Sequence, residues 1–345
     1  MSKEILIIRL SSIGDVIHCT PVAQALKAAW PNCKVTWLVG EVCADLLTDN
    51  PHIDELLIWS RERFEKHLRA YEFTQAYQMW RQLQTDLAAT TYDAVLDIQG
   101  LFLTGMIARQ AKTCRRVGLK DARELNPLFM TETAPALGKH IIDRYLGVLV
   151  PLGITPVSRQ MTLTVPIVAK QYAKGCLAEA KVSEQDKLAI LVPGTTWKTK
   201  NWPPELFAET ARLLVPNFKI MLCGSKREQA MGQEIADKAG VPVINTIGKT
   251  SLLEMAALLE QATVVIAGDT GPLYMAAALD TPTVTVFGPT NPAMYTPPGS
   301  KHAFAVAEQP CSFCHKTKCH TAKNACMSCV RPETVVERVY QVLQL

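Results

Sequence analysis

The sequence predicts an α/β protein built from two doubly wound halves, and three features of the chain say so. Short apolar, β-branched runs alternate with segments of helical periodicity, the pattern of a parallel sheet whose crossovers are helices. The alternation pauses once, at an extended stretch over residues 156–166, and then restarts. Several runs also open into loops rich in glycine, hydroxyls and charge, and that edge of an open parallel sheet is where ligands bind. The expected domains are residues 1–160 and 167–345.

Taken in order, residues 5–8 read as a buried strand and 11–14 as a turn of small residues. A helix is expected over 20–30, opened by Pro21, because proline is well placed in a first turn. Residues 35–39 form the next strand, followed by a helix through Leu47 and a strand over 55–59. Residues 94–98 are another strand, with Gln99 and Gly100 turning into a helix. In the second half, strands are expected over 188–192, 219–222, 242–244, 263–267 and 283–286. Helices are expected from about 204 and about 227, and over 251–260 and 271–279.

A chain of 345 residues is long enough for two domains, each with its own core. Hydrophobic content of 48% and charged content of 20% are globular values. A net charge of +4 is too small for a dedicated nucleic-acid binder, yet it suits an anionic substrate or a membrane surface. The first residues lead straight into a strand-like run without a signal-peptide pattern. No apolar stretch is long enough to span a bilayer. A cytoplasmic place of work is expected, with at most peripheral contact with the inner membrane.

Two strand-end loops carry the chemistry. The first runs P-G-T-T-W-K-T-K-N-W-P from Pro193 and offers three hydroxyls and two lysines, Thr195, Thr196 and Lys200 among them. The second is Gly268-Asp269-Thr270-Gly271-Pro272, leading into an apolar helix. Gly271 lets backbone approach a ligand, and the N–H groups of that helix end would face an anion. Together these loops read as a diphosphate site. A third loop, R-L-S-S-I-G-D-V-I-H from Arg9, lacks the dinucleotide fingerprint and the P-loop pattern. Its Asp15 reads either as a general base or as a carboxylate that favours a helix N-terminus electrostatically.

The cysteines fall into two groups. Cys19, Cys33, Cys43, Cys114, Cys176 and Cys223 are scattered, and most of them suit small buried positions. Cys311, Cys314, Cys319, Cys326 and Cys329 lie within nineteen residues, beside His315 and His320. Three readings stand: a structural zinc or iron clip, reduced packing thiols, or a disulfide. Basic residues Arg61, Arg63, Lys66, Arg69, Arg115, Arg116 and Arg123, with His140 near Asp143 and Arg144, suit an anionic partner. A solvated mixed-charge face explains them equally.

The chain resembles the family 9 glycosyltransferases, the ADP-heptose:lipopolysaccharide heptosyltransferases. The motifs that carry the likeness are R-L-S-S-I-G-D-V-I-H, D-I-Q-G-L from Asp97, P-G-T-T-x₃-K-N-W-P, and G-D-T-G-P-x₃-A-A-A-L-x-T-P-T-V-x-V-F-G-P-T. They occur in the right order over nearly the whole chain. The resemblance implies a GT-B architecture, two Rossmann-like domains with parallel sheets facing a central cleft. It implies an inverting, one-displacement transfer of heptose from ADP-heptose to a lipopolysaccharide inner-core acceptor, an anionic lipid-linked saccharide. Asp15 would be the base and Lys200 would neutralise the departing diphosphate. Substrate contacts would come from Ser11, Ser12, Thr195, Thr196, Glu228, Asp269, Thr270, Gly271, Pro272 and Tyr274. Tyr274 stands where the family usually has histidine; it keeps a donor but cannot be cationic near neutral pH. The family's four-cysteine pattern corresponds to Cys311, Cys314, Cys319 and Cys326. No Asp-x-Asp occurs in the chain, so no cofactor is expected for the transfer itself. Two other readings stay open: the same chemistry on another nucleotide-sugar or a protein acceptor, and a non-catalytic nucleotide-sugar binder.

Overall fold

The computed structural model describes residues 2–156, 158–320 and 325–344. The chain divides into two compact units, Met1–Thr164 and Val165–Leu345. Unit 1 holds the strands β1 (Glu4–Ile8), β2 (Lys34–Val39), β3 (Glu55–Ile58), β4 (Ala94–Asp97), β5 (Arg116–Leu119) and β6 (Glu132–Ala134). They lie in the order β3-β2-β1-β4-β5-β6, all parallel. Its helices are α1 (Ile13–Ala29), α2 (Arg61–Arg69), α3 (Phe73–Ala88), α4 (Phe102–Ala108) and α5 (Ile141–Leu146). The central strands β1 and β4 are buried almost throughout, whereas the edge strand β3 is not. That contrast explains why the central strands read as unbroken apolar runs.

Strand order reverses between β1 and β4, and Ile8 stands opposite Asp97. The loop leaving β1 therefore emerges beside Ile98 and Gln99. A crevice at such a reversal is the usual ligand position in an open α/β sheet.

The first helix differs from the sequence expectation. It begins at Ile13 and carries Pro21 in its interior. Proline there cannot donate to the carbonyl four residues back, which is that of Ile17. The Thr20 hydroxyl donates to Ile17 O at 2.8 Å instead, so the helix runs through. Its earlier start places Asp15 in the first turn. Residues 41–47, expected as a helix, form the 3₁₀ turn Glu41–Leu47.

The stretch read as a linker is partly a strap on unit 1. Met161 and Leu163 are buried, Thr162 N donates to Thr20 Oγ1, and Asn50 Nδ2 donates to Thr162 Oγ1.

Unit 2 repeats the plan with β7 (Leu188–Val192), β8 (Lys219–Leu222), β9 (Ile244–Asn245), β10 (Val264–Gly268), β11 (Thr283–Phe287) and β12 (His302–Val306). The order is β12-β11-β10-β7-β8-β9, again parallel, with the reversal between β7 and β10. Strand β9 starts two residues later than expected because Pro242 has no N–H for the ladder. Its helices are α6 (Ile167–Glu179), α7 (Pro204–Leu214), α8 (Gln229–Ala239), α9 (Leu252–Gln261), α10 (Gly271–Ala278), α11 (Pro292–Tyr295), α12 (Ala325–Ser328) and α13 (Pro332–Leu343). Among the described residues, no helix is long and apolar enough to cross a membrane.

Trp202 ends the first chemical loop as a core residue. It is 1% exposed, packs edge-on to Phe207 at 4.8 Å, and its indole N–H donates to Val330 O at 3.1 Å. This one side chain ties the loop after β7 to the C-terminal segment. Trp202→Ala should destabilise unit 2 by about 3–5 kcal/mol, the usual cost of emptying a large aromatic site. Urea unfolding monitored by far-UV circular dichroism measures it; a loss below about 1 kcal/mol would contradict the core assignment.

Candidate active site

In unit 1 the loop after β1 is held from behind. Gln99 Oε1 accepts from Leu10 N at 3.0 Å and Ser11 N at 3.2 Å. Gln99 is itself fixed by Asp97, whose Oδ1 accepts from the N–H groups of Gln99 and Gly100, and whose Oδ2 accepts from Asn126 Nδ2. Burial raises the Asp97 carboxyl above its usual range, and these donors only partly offset it. The D-I-Q-G run thus braces the neighbouring loop, a role the sequence left unassigned.

Asp15 sits three residues into α1, after its N-cap Ser12. Its Oδ2 accepts from Ser12 Oγ at 2.8 Å and, at 3.4 Å, from Ser12 N. Arg9 pairs with the same oxygen at 2.8 Å, and Tyr145 Oη donates to Oδ1 at 2.7 Å. The helix-cap reading and the base reading therefore describe one carboxylate. Its side chain is still 31% exposed, so a ligand can reach it. Burial works against the charged form. Arg9, Tyr145, His18 and Ser12 outweigh it and bring the carboxyl down from 3.8 to about 2. Arg9 also donates to Ile98 O at 2.9 Å.

Arg9 and Tyr145 were not singled out from sequence. Arg9 lies inside a quoted motif, but Tyr145 is 130 positions from its partner and carries no local signal. His140 N-caps α5, accepting from Ile142 N, and Asp143 pairs with Arg159. Arg61 and Arg69 pair with Glu65, Arg63 with Glu41, Arg115 with Glu132 and Arg144 with Asp121. These pairs favour the mixed-charge face over a ready-made anion site.

In unit 2 three strand-end loops interlock. A Cβ on Gly268 would stand 2.9 Å from Thr195 Cγ2 and 3.2 Å from Lys200 O. A Cβ on Gly194 would stand 2.4 Å from Glu228 Cγ. Glycine at both positions lets the loops after β7, β8 and β10 meet. Lys200 Nζ lies 2.9 Å from Asp269 O and 3.2 Å from Asp269 Oδ2, over the Trp197 ring at 4.7 Å. Tyr274 Oη donates to Asp269 Oδ1 at 2.6 Å and is 3% exposed. Each Asp269 carboxylate oxygen is thus engaged from within. Thr195 Oγ1 lies within hydrogen-bond distance of Trp197 O and Asn201 Oδ1, and Glu228 Oε2 accepts from Ser225 Oγ.

Thr196 is exposed, and Gly271 and Pro272 are half-exposed. Thr270 N-caps α10 without a side-chain cap, and Leu273 N donates to Thr270 O. Pro272 has no N–H, so this helix end offers fewer backbone donors than the sequence reading assumed. Ser11, Ser12 and Asp15 belong to unit 1, and the remaining predicted residues to unit 2.

Cys311, Cys314, Cys319 and Cys326 line one small cleft with Thr199, Pro289, Lys316 and His320. Cys329 is exposed and not part of that lining. Burial, then the three neighbouring cysteines, push the Cys326 thiol up to about 11. Four thiols are a soft donor set of the kind zinc or iron takes. Among the described residues, however, no three His, Cys, Asp or Glu side chains stand in an arrangement that shares one ion. Residues 321–324 of this segment lie outside the described residues. Thr199, next to Lys200, also lines this cleft and donates to Lys316 O at 3.0 Å, so the cluster lies against the loop after β7. Of the scattered cysteines, Cys19, Cys33, Cys43 and Cys223 are buried, while Cys114 is exposed.

Comparison with known proteins gives concordant findings. The family model described as "Glycosyltransferase family 9 (heptosyltransferase)" matches residues 80–325. Lipopolysaccharide heptosyltransferase 1 of Pseudomonas aeruginosa is 29% identical over 77% of this chain and 73% of its own. A family 9 glycosyl transferase from Veillonella parvula superposes with a TM-score of 0.82 at 23% identity, covering 99% of this chain and 97% of that one. The E. coli heptosyltransferase WaaC with ADP gives 0.77 at 24% identity, covering 98% and 99%. The two six-stranded parallel sheets are those of the GT-B fold.

The depressed Asp15 carboxyl has a consequence for acid stability. The unfolded group titrates near 3.8 and the folded one near 2, so its contribution is present above the first value and lost as pH falls towards the second. The stability gap between wild type and Asp15→Asn should be wide at about pH 6 and narrower at about pH 3. Urea titrations at both values test this; a gap independent of pH would show that the ion pair adds nothing.

Proposed function

The chain belongs to glycosyltransferase family 9, the heptosyltransferases, and from that premise we propose that it moves a heptose from ADP-heptose to an inner-core lipopolysaccharide acceptor. The transfer inverts the anomeric centre in one displacement, needs no metal, and takes place at the cytoplasmic face of the inner membrane. The observation that carries this reading is the interlocked set of loops around Lys200 at the strand reversal of unit 2. One E. coli relative was solved with ADP and again with ADP-2-deoxy-2-fluoro heptose, which supports the donor class.

Asp15 takes the proton of the attacking acceptor hydroxyl. With its carboxyl lowered to about 2 it is a weak base, so its contribution lies largely in holding the acceptor hydroxyl in line for attack. Lys200 exchanges part of its contact with Asp269 for the diphosphate, whose charge grows as ADP leaves. Asp269 then accepts from hydroxyls of the transferred sugar rather than meeting phosphate, since like charges repel. Glu228, lying against Gly194, accepts from the nucleotide ribose. Thr195, Thr196, Gly271 and the start of α10 line the donor, with lysine and helix end taking the part a metal ion plays elsewhere.

The test is ADP release from ADP-heptose with a panel of truncated core acceptors, EDTA present throughout. Wild type should turn over. Asp15→Asn should lose about 10²–10⁴-fold in kcat with ADP affinity nearly unchanged. Lys200→Ala should lose both affinity and turnover. Activity restored only by magnesium would overturn the metal-free mechanism, and a preference for another nucleotide-sugar would overturn the donor.

For the cysteine cluster we propose a structural clip, with Cys311, Cys314, Cys319 and Cys326 as thiolate ligands of zinc or iron and no part in the transfer step. Its support is the shared cleft and the soft donor set. Elemental analysis of protein purified under reducing conditions should find about one zinc or iron per chain. No metal, with every thiol titratable after denaturation, would leave ordinary packing cysteines.

A further inference from the structure

We propose that Asp15 receives the acceptor's proton on Oδ1, and that Tyr145, whose phenol donates to that oxygen, is a positioning residue for the transfer. The inference rests on Asp15 being the base. A carboxylate offers about four lone-pair positions, two on each oxygen. Those on Oδ2 are taken, by Ser12 Oγ and the Arg9 guanidinium, each at 2.8 Å, with the longer Ser12 N contact at 3.4 Å on the same oxygen. Among the described residues, the hydrogen bond that reaches Oδ1 is that of Tyr145, at 2.7 Å. One lone pair is left, and it lies on Oδ1 beside the phenol.

Attachment at both oxygens fixes the plane of the carboxylate, whereas attachment at Oδ2 alone would leave it to swing about that end. Tyr145 is itself immobile. It is 2% exposed, and its ring lies beneath the Arg9 guanidinium at 5.0 Å and beside that of Arg144 at 5.7 Å. Burial raises its phenol well above the usual value, so it stays a donor at neutral pH. In the transfer, the acceptor O–H bond breaks and its proton passes to Oδ1. The oxygen's electron pair forms the bond to the anomeric carbon. The bond from that carbon to the diphosphate oxygen breaks, and its pair leaves with ADP.

Two effects oppose each other in Tyr145→Phe. Losing a donor makes Asp15 a stronger base, which helps by a few-fold at most, because only a fraction of basicity appears in rate. Losing the second attachment misplaces the accepting lone pair, and about 1 Å of misplacement costs up to about 10²-fold. Misplacement wins.

The experiment is a double-mutant cycle, with Tyr145→Phe and Asp15→Asn made singly and together. Single-turnover rates, KM for ADP-heptose and thermal midpoints are read for each. Tyr145→Phe should lower the rate about 10-fold at unchanged KM for the donor, and should add nothing in the Asp15→Asn background. An unchanged rate, or the same additional loss in both backgrounds, overturns the inference. Turnover retained by Asp15→Asn alone overturns instead the assignment of the base. Independently of activity, the Asp15 carboxyl, followed by ¹³C NMR, should begin to titrate at higher pH in Tyr145→Phe. An unmoved titration would show that the phenol does not engage the carboxylate, and would overturn the inference as well.

Discussion

Backbone proximity at the strand reversal of unit 2 is the constraint on which the candidate site there depends. Strands β7 and β10 are neighbours in register, so their exit loops must share one narrow space. A Cβ at Gly268 would press on Thr195 and on the Lys200 carbonyl, and one at Gly194 would have to displace the Glu228 side chain. A lysine, two carboxylates and a row of hydroxyls gather there because the backbone comes close enough to bring them. The same geometry recurs in unit 1, where Gln99 at the exit of β4 holds the loop leaving β1.

Both candidate centres hold their charges in internal pairs. Asp15 is satisfied by Arg9, Ser12 and Tyr145, and Asp269 by Lys200 and Tyr274. A buried charge without partners is costly, and each carboxylate is built in with its partners on both oxygens. Under the proposed function, a diphosphate would compete with Asp269 for Lys200. Tyr274 supplies the second internal contact to Asp269, through its hydroxyl on Oδ1.

The C-terminal segment supports the loop after β7. Trp202 anchors one end of the loop to Val330, and Thr199 reaches Lys316 beside the cysteine cleft. Lys200 lies between these two attachments. Loosening either is therefore expected to reach Lys200 through the backbone rather than through charge.

The alternation of apolar runs and helical segments was enough to establish two α/β halves. Strand-end loops singled out Lys200, Asp269 and Asp15 as candidates because glycine, hydroxyl and charge follow a buried strand there. Local chemistry also misled: Pro21 suggested a helix start, but the Thr20 hydroxyl takes over the carbonyl that proline leaves unpaired. What the sequence could not supply was who pairs with whom. Tyr145 meets Asp15 across 130 positions, and Tyr274 turns its hydroxyl to Asp269 instead of outward. Cys311, Cys314, Cys319 and Cys326 line one cleft, and Thr199 brings that cleft to the loop that carries Lys200. Composition and spacing act along the chain and fix elements and loop chemistry. Partnership is decided by strand order and close approach, which exist only once the sheets have formed.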